Sequence, residues 1–506
     1  MTQGGVLVVK GAHVIDPAQN VDGLADVTIV DGKILGLNKP GGGEPGSGSA
    51  EVLDLTGHYI TPGWIDLHVH AYGTLGFADA DSIGIYQGVT SYVDAGDSGI
   101  DTLDEFQALL DGTTVTSLYA GPYLRPMGLV GLNFLEGNVR SLGDISVPRW
   151  LDCMKEHRDL LRYLKIGAMG DYGTGPLKMA KGLAEIIGLP MYVHIGEFQQ
   201  VRPQRITAFD AFQIAEAGDI ITHLYHNNLG RVLDQDGKVL PLVRDAERRG
   251  VLFDIGFGGY NFSWEVAEKA FAQDLVPHII SSDLQQHNVV SPAISLANVA
   301  SIFLRLGLPL REIIRRVTEG PARALSLEDR AGSLKPGLPA DITVFRLESG
   351  AFEFADAFKR KRKGDTRIVP VMAFKAGRRY DCDFERCKDA NNWFWQVEEA
   401  IPAAAARLSR QQREFLGSLA DLLAGIEWEL ESAETLDVEK ATELRAAFHA
   451  ARQAHGLALA SALNAVYDSF LARPFPMQIG LFLIRLERPF ALARLAEVSG
   501  RRPIAA

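Results

Sequence analysis

Short apolar runs, each closed by a polar or turn residue, recur through the first part of this chain. They lie at residues 64–70, 89–94, 116–121, 163–167, 191–195, 220–224, 251–255 and 278–283, mostly about thirty positions apart. Runs of this length read as buried strands. Stretches with helical spacing, such as 176–187 and 263–273, stand between several of them. Strands alternating with helices predict a parallel sheet, and eight such units match a closed α/β barrel of the (β/α)8 type. Before the first run, 6–9, 25–30 and 33–37 alternate in the manner of half-exposed strands, with an Asp31-Gly32 hairpin turn. Further strands at 341–346 and 369–375 predict a small composite β-sandwich built from residues 1–60 and 335–380, beside a barrel at 61–334. A Gly- and Ser-rich stretch at 40–49 reads as a loop.

From about residue 391 the texture changes to long helical patterns rich in Ala, Leu, Glu and Arg. Residues 385–506 are expected to form a C-terminal helical extension. Ser409 caps one helix running towards Ser432 and Asp437 another running towards Leu471, the two pairing as a hairpin. Two short apolar helices, 477–486 and 489–498, follow a break at Pro474-Phe-Pro476. Covering the barrel mouth, contacting another copy and docking a partner are all open roles for this extension.

What the strands carry at their carboxyl ends changes the picture from architecture to chemistry. In a strand, successive side chains alternate faces, so His68 and His70 point the same way. Lys165 closes the fourth run, His194 the fifth, His223 the sixth and Asp283 the eighth. Active sites in barrels of this kind sit at that rim, and neutral imidazoles with a carboxylate are metal ligands. A lone histidine is more often a core residue, and the ordered set is what gives each one weight. A lysine late in an apolar run is unexpected in a core unless something pairs with it. Asp254 closes the seventh run and rivals Asp283 as the carboxylate ligand. Asp66 shares a face with both first-strand histidines and reads as a hydrogen-bonding partner at the barrel floor.

The stretches Pro62-Gly-Trp-Ile-Asp-Leu-His-Val-His70, Tyr163-Leu-Lys-Ile-Gly167, Tyr192-Val-His-Ile-Gly-Glu197, Ile221-Thr-His-Leu-Tyr-His226 and Ile280-Ser-Ser-Asp283 together resemble the amidohydrolase superfamily. Gly337-Leu-Pro-Ala-Asp-Ile-Thr-Val-Phe345 adds the returning strand of that family's small β domain. Within the superfamily the chain is most similar to the amidohydrolase/deacetylase group, which often carries a dihydroorotase label. Gly-Val-Thr at 88–90, Asp94-Ala-Gly96 and Gly258-Gly-Tyr-Asn-Phe-Ser263 support that subgroup. The resemblance covers roughly residues 5 to 380 and not the helical extension.

The resemblance implies a binuclear centre of two divalent ions, zinc first and manganese second. His68, His70 and Asp283 would hold one, His194 and His223 the other, and a carbon dioxide-derived carbamate on Lys165 would bridge both. A free lysine, with a pKa of about 10.4, is a cation that avoids a dication pair, whereas a carbamate is an anion with two hard oxygens. A hydroxide between the ions would attack an amide or ester acyl bond of a small molecule, with Asp283 as base. Tyr72, Tyr172, His226, Gly258 and Gln286 are candidate substrate contacts, although a solvated loop also accounts for His226. Dihydroorotases carry Arg two residues after the second histidine to clamp a carboxylate; here that residue is Tyr72, which has no planar guanidinium fork. Ring opening of a cyclic amide is the alternative reaction. A non-catalytic barrel with a helical interaction module is the alternative class, disfavoured because all six positions are filled.

Composition sets the remaining bounds. A net charge of −12 over 506 residues offers no basic face for nucleic acid. The basic run Lys359-Arg-Lys-Arg-Lys363 reads as a solvated hairpin loop. Three cysteines, Cys153, Cys382 and Cys387, make no even disulfide framework and fit a reducing cytoplasm. The start reads as a strand and not an export signal, and no apolar stretch reaches the ~18 residues of a membrane span. A small-molecule substrate and further copies of the chain are the expected partners.

Overall fold

The computed structural model describes residues 5–41, 50–110, 114–129, 143, 145–168, 174–196, 207–389, 396–429, 438–471 and 477–501. Trp64–Val69, Val89–Asp94 and Ser117–Ala120 form one parallel sheet. Leu164–Gly167, Met191–His194, Ile220–Thr222 and Leu252–Phe253 form a second. Parallel bridges Ala120↔Leu161 and Tyr123↔Lys165 join the two sheets. The run expected at 278–283 is held by single parallel bridges, Asp254↔Ile279 on one side and Val69↔Leu284 on the other. The pairing thus returns to the strand from which it began, and every sheet edge in the ring finds a neighbour.

Alternation along the strands sorts side chains between two environments. Leu164, Ile166, Met191 and Val193 join the large cluster shared with the surrounding helices. On the opposite face, Tyr163 and Tyr192 stack with ring centroids 4.4 Å apart in a separate inner cluster. Lys165 and His194 share that face. The helix Gly175–Ile187 shows the complementary pattern: Leu177, Ala180, Leu183, Ala184 and Ile187 are buried, a three- and four-residue spacing that lines one side.

Beside the ring, two sheets enclose one apolar core containing Leu7, Val9, Ile29, Ile60, Ile342 and Phe374. One is built from Val6–Lys10, Asp26–Val30, Lys33–Asn38 and Glu51–Asp54. The other pairs N-terminal strands with Ile342–Ala355, Lys361–Lys375 and Arg378–Asp381. Strands from both ends of the chain therefore meet in this unit. The long hairpin corrects the reading of the basic run. Lys361, Arg362 and Lys363 lie within a strand, where Lys361 meets Glu353 at 2.8 Å and Arg362 meets Glu268 at 2.8 Å.

The extension folds around its own core, with Phe415, Leu419, Phe448, Leu463, Phe482 and Leu495 buried together. Ser409 caps Arg410–Ala424 through a capping box with Gln412. That helix ends at Ala424, well short of Ser432. The second expected helix is two, Val438–Ala454 and Leu459–Phe470, broken where Gly456 adopts φ +60°. Asp437, its expected cap, lies outside the described residues, as does the Pro474–Pro476 break. Ile479–Leu483 and Arg488–Ser499 complete the unit.

Asp16 ties the sandwich to the chain emerging from the ring. Fully buried, it accepts from Ala18 N at 3.0 Å, Gln19 Nε2 at 2.7 Å, Ser333 Oγ at 3.0 Å and Leu334 N at 2.7 Å. Asp16→Ala strands these donors and is expected to cost about 2–4 kcal/mol, read as a lower urea midpoint.

Candidate metal centre

The end of the first strand delivers His68 and His70 to one side of the ring, with ring centroids 5.5 Å apart. Asp283 Oδ1 lies 3.4 Å from His68 Nε2 and 3.2 Å from His70 Nε2. Among the described residues these three form a group whose ligand atoms all lie within 4.8 Å of one another. His194 and His223 form a neighbouring pair, their centroids 4.3 Å apart, and His223 stands 5.2 Å from His68. Lys165 Nζ reaches to 3.2 Å from His68 Nε2. All six side chains are buried. They line one pocket with about 320 Å³ of empty space, together with Tyr123, Leu129, Gly167 and Gln285.

His68, His70 and His223 are each held from behind. His70 Nδ1 donates to Asp97 Oδ1 at 2.9 Å. His223 Nδ1 donates to the Gly256 carbonyl at 2.6 Å. Tyr192 gives its hydroxyl proton to Asp254 Oδ2 at 2.6 Å, so the phenol oxygen accepts from His68 Nδ1 at 2.8 Å. Fixing the proton on Nδ1 presents the Nε2 lone pair to the pocket, the state a metal-binding imidazole needs. The donor set therefore fits a pair of hard or borderline divalent ions.

Two of the six residues hold strained backbone: His223 has φ +69° and Asp283 φ +48°. The left-handed conformation costs an L-residue roughly 1–2 kcal/mol, and such strain concentrates at functional sites. The electrostatics differ from ring to ring. Burial, then the Lys165 charge, holds His68 well below the ordinary imidazole range, and burial with His194 does so for His223. Burial also opposes charge on His70, but Asp97 and Asp283 overcome it and raise that ring to about 10. Burial lowers the Lys165 ammonium to about 7 despite the attraction of Asp283.

Asp283 is the carboxylate at the centre, and Asp254 is not. Asp254 Oδ2 is occupied by Tyr192, by Thr222 Oγ1 at 2.6 Å and by Ser281 Oγ at 2.7 Å, on the far side of His68. Asp66 accepts from the Ser282 amide at 3.0 Å and from its hydroxyl, a floor contact as expected. Gly258 adjoins the site: a Cβ there would stand 2.3 Å from Asp283 Oδ2, and its φ is +59°.

Three further candidate contacts, Tyr72, His226 and Gln286, stand outside the pocket lining. Tyr72 is fully buried and packs edge-on against Phe106 at 5.1 Å, outside the pocket lining. His226 is buried too, not solvated, and its Nδ1 accepts from Asn228 N at 3.1 Å. Gln286 bonds the carbonyls of Leu75 and Gly76, and its neighbour Gln285 lines the pocket instead, donating to Asp283 Oδ1 at 2.8 Å. Tyr172 lies outside the described residues. Asp97, Tyr192, Tyr123 and Gln285 also stand at or behind the pocket, with little in the sequence to mark them. For Asp97 one local signal existed, its place on the loop that leaves a strand ending in Asp94 at the rim.

Comparison with known proteins agrees with this geometry. Residues 287–380 match the model of the amidohydrolase family. A deacetylase of Agrobacterium fabrum is 32% identical over 333 residues, which are 65% of this chain and 79% of that protein. Among solved structures, an adenine deaminase superposes with a TM-score of 0.66 at 28% identity, covering 74% of this chain and 99% of that one. A dihydroorotase does so with a TM-score of 0.66 at 29% identity, covering 75% and 98%. The chain belongs to the amidohydrolase family. It is a hydrolase acting on carbon–nitrogen bonds, in a family that generally uses divalent metals.

Gly258→Ala drives a methyl group into the Asp283 carboxylate and removes the only residue type at ease with that φ. The variant is expected to keep its fold by circular dichroism and to lose metal affinity by about 10-fold or more, read by chelator competition.

Proposed function

We propose that this chain cleaves an acyl carbon–nitrogen or ester bond of a small molecule, a deacetylase-like reaction, at a pair of divalent ions on the rim of a (β/α)8 barrel. One observation carries the reading: Lys165, four imidazoles with at least three fixed from behind, and Asp283 line a single buried pocket. In this reading the barrel spans residues 61–334, the composite β-sandwich 1–60 and 335–380, and the helical extension 385–506. His68, His70 and Asp283 would hold one ion and His194 and His223 the other, with Lys165, as a carbamate, supplying anionic oxygens to the pair. Zinc suits the mixed nitrogen and oxygen donors, with manganese the next candidate.

When bound, the ions supply Lewis-acid polarisation of the acyl oxygen and a hydroxide near neutral pH. The protein's own work is proton handling and orientation. Asp283 takes the proton of the attacking water and returns it to the leaving nitrogen or oxygen. Gln285 Nε2 at 2.8 Å and Asn261 Nδ2 at 3.5 Å keep its two oxygens apart in direction, one towards each donor. The six side chains are buried, which strengthens each of these interactions.

An acetyl-type substrate is favoured because the residue two past His70 is Tyr72, which has no guanidinium fork to clamp a ring carboxylate. The relative from Agrobacterium fabrum, named a deacetylase, supports the same choice. Cyclic amide opening is the second reading, supported by the solved dihydroorotase. The two reactions share the attack and differ in whether the leaving amine stays tethered. Parallel assays of N-acetyl and O-acetyl acids against dihydroorotate and hydantoin separate them; turnover of the rings alone overturns the deacetylase reading.

Two outcomes test the centre itself. The purified chain is expected to carry about two divalent ions, and a metal-free chain with full activity would contradict the proposal. Asp283→Asn is expected to keep most of its metal and lose kcat by about 10²–10⁴-fold. A near-normal rate in that variant rules out Asp283 as the base.

A further inference from the structure

Gln478 of the helical extension meets the residue that stands behind His70. Gln478, fully buried, donates from Nε2 to the main-chain carbonyl of Asp97 at 2.6 Å. Asp97 is the residue whose carboxylate receives His70 Nδ1. Its amide is held from the other side by Asp94 Oδ1 at 3.0 Å. Asp94 and Gln478 therefore fix the two peptide groups that flank Asp97, and so set the direction of its carboxylate. Gln478 is also wedged against the chain just past His70: a Cβ on Gly73 would stand 3.1 Å from its Oε1.

The segment bearing Gln478 is itself clamped. Ile479 N donates to Glu105 Oε2 at 2.9 Å. The other oxygen of this fully buried carboxylate receives Arg445 Nε, with His449 at 3.3 Å. Arg445 also bonds the carbonyl of Asp101. The loop that carries Asp97 is thus tied to the extension at both ends. A buried carboxylate is costly unless paired, so an interface serving adhesion alone is better built from apolar contacts. A buried ionic clamp instead specifies one register between the two units.

We propose that Gln478 is a positioning residue of the metal centre, acting through Asp97 on His70, and that the extension is thereby a working part of the site. The inference rests on the binuclear reading above. Loss of a partner behind a metal ligand typically weakens metal affinity 10–100-fold. Acting one residue further out, Gln478 falls at the lower end, about 10-fold.

The test is zinc affinity of the full-length chain, measured by chelator competition, with melting followed by circular dichroism. Gln478→Met keeps the volume and removes the donor; Glu105→Gln weakens the clamp; Leu495→Ala damages the extension's core away from the latch. The first two variants are expected to melt cooperatively and bind one zinc about 10-fold more weakly, while Leu495→Ala melts earlier and binds zinc normally. Wild-type affinity in Gln478→Met overturns the proposal. So does an equal loss in Leu495→Ala, which would make the extension a general stabiliser. If Gln478→Met does not fold, Glu105→Gln decides by the same criterion. A wild-type chain that binds no zinc refutes the binuclear reading instead.

Discussion

A lysine amine buried among imidazoles is the constraint around which this molecule is arranged. Lys165 Nζ lies 3.2 Å from His68 Nε2 and 4.3 Å from the centroid of the Tyr192 ring, out of reach of solvent. An ammonium ion there meets rings that burial already keeps neutral. The arrangement is electrostatically poor for a protein that needs only a packed core, because a buried cation demands a partner. On the proposed binuclear reading, a carbamate facing two dications would remove the conflict: the lysine would become an anion, and the lone pairs of the imidazoles would find a use. The same six residues that make an awkward core would then make a coherent metal site.

Around that centre run acceptors that decide which nitrogen of His68, His70 and His223 faces inward. Asp97, the Gly256 carbonyl and the Tyr192–Asp254 pair each take an Nδ1 proton. These contacts come from loops and strands on different sides of the ring, so the pocket is set by the closed sheet as a whole. The strained backbone at His223 and Asp283 fits this view. The surrounding pairing holds two ligand residues where their own conformational preferences would not, a cost offset elsewhere in the fold.

Those six residues of the pocket lining were legible in the sequence because they stand at strand ends, where period-two alternation fixes the face. What they lean on was not. Tyr192 looks like one more apolar residue of a strand, and its hydroxyl matters only because Asp254 sits across the ring. Gln285 and Gln286 differ by one position, and the left-handed turn at Asp283 decides which enters the pocket; alternation does not carry through such a turn. Strand order was readable, but the short pairing at 279–284 was not, since its length depends on both neighbours. In the extension, the break near Gly456 was missed because one glycine inside a helical pattern is often tolerated. The contact of Gln478 with Asp97 spans 381 positions, beyond any local signal.

Where divalent ions bind decides between a binuclear hydrolase and any other use of this pocket. Crystals grown with zinc, with anomalous differences collected at the zinc edge, measure this directly. Two peaks about 3.5–4 Å apart are expected, one against His68, His70 and Asp283 and the other against His194 and His223, with branched density on Lys165 between them. A single peak, or peaks away from these residues with Lys165 ending in a bare amine, would contradict the binuclear reading.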